Sequence, residues 1–128
     1  MVTLTAAVCT ERVGRSDLRL AKNAKPMSNR EELRVNHLPR LFTAWVIFRF
    51  EAPAGQTFPI ATEVRSVSGR LLWFGSGFVT APSSGMGQSA VQVSFAVTTV
   101  GPYSVSLLFE TTVVWHHTFV FELAESVQ

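Results

Sequence analysis

Three histidines, one cysteine and nine carboxylates are the side chains of this 128-residue chain that could do metal, nucleophilic or acid–base chemistry. His116 and His117 are adjacent, and on a strand adjacent side chains point to opposite faces, so the two are not set to share a metal. His37 stands far from them in a polar stretch, and Cys9 is the only thiol. No zinc-ligand spacing results. His117 is expected half-buried beside Phe119, with His116 at the surface. A lone Cys9 excludes an intrachain disulfide, and its expected place is the interior of a first strand.

The carboxylates Glu11, Asp17, Glu31, Glu32, Glu51, Glu63, Glu110, Glu122 and Glu125 are scattered. Glycoside hydrolysis needs two of them facing one another across a cleft, and no spacing here sets up such a pair. Ser83-Ser84-Gly85 lacks the strand–turn–helix context of a nucleophile elbow. Gly75-Ser76-Gly77 and Gly85-Met86-Gly87 are not followed by a helix whose N-terminus could take a phosphate. No catalytic residue, metal site or cofactor site is assigned, and the chain is expected not to be an enzyme.

Cations crowd the first third: Arg12, Arg15, Arg19, Lys22, Lys25, Arg30, Arg34 and Arg40 precede residue 41. Glu11, Asp17, Glu31 and Glu32 dilute them and no aromatic side chain interleaves, so a nucleic-acid partner is not expected. Trp45, Trp73 and Trp115 could form a sugar-stacking platform, but tryptophans of a small sandwich more often serve core or interface. Hydrophobic residues make up 47% of the chain and charged residues 16%, below the usual quarter. That balance excludes disorder and suggests apolar surface covered by a partner. No apolar run approaches the roughly 20 residues of a membrane-spanning helix, and no targeting segment is recognised. The expected setting is cytoplasmic, or within a phage particle.

The elements that must position these side chains are strands. In 91–123, Val91, Val93, Phe95 and Val97 alternate with polar or small residues. So do Tyr103, Val105, Leu107 and Phe109, and so do Val113, Trp115, His117, Phe119 and Phe121. A central strand over 41–51 sets Phe42, Ala44, Val46, Phe48 and Phe50 against Thr43, Trp45, Ile47, Arg49 and Glu51. Further strands are expected over 57–67 and 70–80, with Gly75 and Gly77 marking a bulge or kink. A first strand is expected over 3–13, a turn over 14–17 and a short second strand over 18–20. Residues 22–36 are expected as a long surface connection with at most one helical turn at 28–33, and 81–89 as a flexible loop.

Seven or eight strands with Gly/Pro turns predict one domain over 1–128: an all-β, antiparallel immunoglobulin-like β-sandwich with a long basic N-terminal connection. The Phe42/Val46/Phe48, Ile60/Val64, Val93/Phe95 and Val105/Leu107 sets are expected in its core. Tyr103, in Gly101-Pro102-Tyr103, is expected to form a tyrosine corner by bonding to upstream backbone. The second face of the central strand is apolar at Trp45 and Ile47, and Val114 and Val120 lie opposite another apolar face. These four residues are expected in a partner interface, or else residues 14–40 fold over them.

With the strands placed, the chain resembles an uncharacterised bacterial family of small, single-domain β-sandwich proteins of unknown function. The resemblance rests on AAVCTE near the start, LPRLFTAWVIFRFEAPAGQTFPIATEVRSVSGRLL in the middle, the Gly-rich loop and GPYSVSLLFE near the end. It departs from the family at Thr111-Thr112 and in the unusually aromatic VVWHHTFVF. It brings no catalytic residues. The expectation is a non-catalytic binding or assembly module, a subunit or accessory protein of a larger bacterial or phage complex that self-associates or docks on a protein. The alternative is a sandwich binding carbohydrate or another small molecule.

Overall fold

The computed structural model describes residues 1–11 and 29–124. Its eight strands are β1 (Thr3–Thr10), β2 (Asn29–Val35), β3 (Arg40–Glu51), β4 (Thr57–Arg65), β5 (Leu71–Thr80), β6 (Met86–Val97), β7 (Gly101–Phe109) and β8 (Thr112–Leu123). They form a three-stranded sheet, β1-β3-β6, and a five-stranded sheet, β2-β8-β7-β4-β5. Among the described residues the chain crosses between sheets from β2 to β3, from β3 to β4, from β5 to β6 and from β6 to β7. This is the immunoglobulin-like arrangement, in which β1, β3 and β6 hold the places of strands A, B and E, and β4, β5, β7 and β8 those of C, C′, F and G. Among the described residues no helix is long and apolar enough to cross a membrane.

Alternation drives the packing. Even-numbered residues of β3 and β4 and odd-numbered residues of β6, β7 and β8 turn inward, so nine core positions legible in the sequence, from Phe42 to Leu107, are all buried. Aromatic rings fill the two ends of the interior. Phe42 meets Phe95, Phe119 and Phe121 with centroids 5.4, 5.0 and 5.0 Å apart. At the other end Phe58 meets Phe50 at 5.1 Å and Phe109 at 5.3 Å. Each such ring buried is worth about 1.5–3 kcal/mol, and tilted or edge-on pairs add about 0.5–1.5 kcal/mol.

Several expectations are corrected. The segment expected as a surface connection contains strand β2, which lies parallel to β8 with Leu33 opposite Phe121 and Val35 opposite Leu123. Every other pairing is antiparallel. The reason is that an edge strand need bury only one row of side chains, and Val35 and Leu33 supply it. β6 begins at Met86, so half of the expected flexible loop is paired with β3. The first strand ends at Thr10; the turn over 14–17, the strand over 18–20 and most of the basic connection lie outside the described residues.

Candidate functional site

Tyr103 is wholly buried at the start of β7. Its hydroxyl donates to the carbonyl oxygen of Thr99 at 2.9 Å and accepts from the backbone N–H groups of Thr99 and Thr98 at 3.2 and 3.3 Å. The phenol thus ties the loop between β6 and β7 to the core, as a tyrosine corner does.

Of the four residues expected at a partner interface, two are covered by the chain itself. Ile47 is wholly buried within the chain, where Ala6, Val8 and Trp45 pack with it. Val120 is buried as well, between Glu32 of β2 and Pro102 of β7 in register. Val114 falls at the irregularity in the β7–β8 pairing and packs against the main core. Trp45, on the outer face of β3, and Val114 keep partial exposure. The three tryptophans also fail to make a platform. Trp45 is outside the small sheet, Trp115 is buried in the core, and Trp73 lines the inner side of β5.

Three exposed large apolar side chains lie together on β5, an end strand of the large sheet. Phe74 and Phe78, four residues apart on its outer face, are 56% and 77% exposed, and Leu71 at its start is 45% exposed. Their partners across the ladder are Glu63 and Pro59 of β4. Among the described residues β5 pairs on one side only. It carries neither the charges nor the proline with which an edge strand normally blocks further pairing.

The inner side of β5 is equally unusual. Gly75 and Gly77 sit opposite Thr62 and Ile60, where other strands place bulky side chains. The pairing runs unbroken past both glycines, so they mark no bulge; they remove side chains from the interior. The result is a groove of about 270 Å³ at the edge of the sandwich, lined by Ile60, Thr62, Trp73, Gly75, Gly77 and, from β6, Val91. Thr62 is 1% exposed, and its Oγ1 and the Nε1 of Trp73 are buried without a hydrogen-bond partner.

At the opposite edge His117 is buried, its ring 4.4 Å from that of Phe119 and its Nε2 3.4 Å from Oε2 of Glu31 on β2. Burial pushes the imidazole down to about 4. The Glu31 carboxylate pulls the other way but reaches solvent, so burial wins. The Cys9 thiol is pushed up to about 12, first by burial and then by the Glu31 charge. A nucleophilic thiol needs a thiolate at neutral pH, and this environment works against one. His116 and His37 are at the surface. Among the described residues no three His, Cys, Asp or Glu side chains are grouped to hold a metal ion.

No protein family matches the sequence, and no curated protein does. Solved structures share the fold. The chain is similar over 94% of its length to part of the Pseudomonas fluorescens alkylpurine DNA glycosylase AlkC bound to DNA containing an abasic site analogue, with a TM-score of 0.52 and 9% identity. It is similar over 94% of its length to part of the β-glucosidase D2-BGL from Chaetomella raphigera, with a TM-score of 0.47 and 10% identity. It spans 30% of the first chain and 18% of the second. At such identity the likeness concerns the fold alone.

Proposed function

We propose that the chain is a non-catalytic binding and assembly module that associates through β5, its first partner being a second copy of itself. The observation that carries this reading is the pair Phe74 and Phe78, exposed on a strand whose far edge is unpaired among the described residues. Phenyl rings are costly to leave in water, and patches of this kind on small domains mark interaction sites. A two-fold axis beside β5 would pair it antiparallel with its copy, extend the large sheet across both subunits, and let the same two rings serve both sides. A role as a subunit or accessory protein of a larger bacterial or phage complex extends the same reading. Non-catalytic describes the titratable groups as placed: Cys9 and His117 are buried, with shifts that oppose nucleophilic and general-base use.

Sedimentation equilibrium at micromolar concentrations tests the reading. Wild type is expected to dimerise reversibly, and the double variant Phe74→Lys/Phe78→Lys to stay monomeric and cooperatively folded, with a melting temperature independent of protein concentration, since neither ring is part of the core. A wild type that remains monomeric throughout would refute self-association through β5.

A further inference from the structure

We propose that the groove behind β5 is a binding site for a small, neutral, largely apolar molecule with one hydrogen-bond-accepting oxygen. Two independent features build it. The first is space: Gly75 and Gly77 withdraw two inward side chains, and a Cβ added at Gly77 would meet nothing within 4 Å. The second is polarity without partners. Thr62 Oγ1 and Trp73 Nε1 are both buried and unbonded, and a Cβ placed on Gly75 would lie 3.5 Å from the one and 3.4 Å from the other. The two atoms therefore flank one spot beside Gly75, at the wall of the groove.

Their chemistry selects the ligand. An indole nitrogen only donates, and a hydroxyl can donate, so together they offer two donors to the two lone pairs of a carbonyl or similar oxygen. The other lining residues are Ile60, Ala61, Gly75, Ser76, Gly77 and Val91, and Ala61 and Ser76 alternate to the outer face of their strands, so the body of the ligand must be largely apolar. Among the described residues no charged side chain lines the groove, and an ion would lose its hydration without compensation. A sugar carries more hydroxyls than two polar atoms can serve, which separates this site from a carbohydrate site. About 270 Å³ exceeds the ~150 Å³ cavity that holds benzene, so a single substituted ring fits. The groove lies on the opposite face of β5 from Phe74 and Phe78, and its occupancy does not depend on the proposed dimer.

Acetophenone, with one ring and one carbonyl, is the probe, and ethylbenzene, of similar shape without the oxygen, is its control. The readout is the indole N–H resonance of Trp73 in 1H–15N spectra, assigned by its loss in Trp73→Phe. Acetophenone is expected to shift this resonance saturably while that of Trp45 stays in place. Ethylbenzene is expected to bind about two- to tenfold more weakly, the worth of an ordinary hydrogen bond. Gly77→Val is expected to melt no lower than wild type and to abolish binding. Thr62→Val, which keeps the shape and removes the hydroxyl, is expected to weaken acetophenone and not ethylbenzene, and it decides the matter if Gly77→Val folds poorly. No saturable shift at Trp73, equal affinity for the two probes, or binding indifferent to both Gly77→Val and Thr62→Val would overturn the proposal.

Discussion

His117 illustrates what a single side chain contributes and how far its role can be read in advance. Alternation with Trp115, Phe119 and Phe121 places it inward, and the adjacent His116 outward, as the structure has them. Its neighbour Glu31 could not be found that way, because it comes from β2, whose polar residues hid the strand. The consequence is a pH dependence with a definite sign. The folded imidazole titrates at about 4 against an ordinary 6.5, so below pH 6.5 the unfolded chain takes up a proton that the folded chain refuses. Stability contributed by neutral His117 is complete above about pH 6.5, falls as pH drops towards 4, and levels off below. The loss is about 3 kcal/mol by linkage. Urea unfolding of wild type and His117→Leu between pH 7.5 and 4 checks it: the variant's stability should change far less over that range. Parallel profiles for the two proteins would place the acid sensitivity elsewhere.

At the scale of elements, the strands with strong alternation were legible nearly to their ends, and the misses share a physical cause. β2, with the sequence NREELRV, shows only Leu33 and Val35 as an inward row, and parallel pairing with a strand more than eighty positions later leaves no local turn signal. The start of β6 was hidden by Gly85 and Gly87. Gly87 is nonetheless a strand residue, and it is small because the Phe50 ring lies where its Cβ would be. The turn between β7 and β8 carries no Gly or Asn to announce it. Glu110 and Thr111 form it, at φ of 51° and 73°, the left-handed pair that a two-residue hairpin requires and that Asn-Gly usually supplies. A β-branched side chain is strained there. Thr111→Gly is expected to raise stability by about 1 kcal/mol, read from the urea midpoint at constant m-value. A lowered midpoint would mean that Thr111 makes a contact outweighing the strain.

For the whole molecule, the sandwich and its interior followed from period-two patterning, because one face of each strand has to be apolar for the two sheets to close on each other. The surface did not follow. Trp45, Ile47, Val114 and Val120 were singled out because they broke that pattern, yet the chain itself covers Ile47 and Val120, and a pairing irregularity directs Val114 to the core. Phe74 and Phe78 drew no notice in the sequence, since their exposure depends on β5 being an end strand, and sheet order is not written in alternation. Their placement on an edge that no described strand pairs makes association along that edge the central claim. Amide hydrogen exchange of residues 71–80, measured at low and high protein concentration, tests it most directly. The account predicts that alternate β5 amides exchange more slowly as concentration rises, and that Phe74→Lys/Phe78→Lys removes the effect. Exchange along β5 that is the same at every concentration would contradict it.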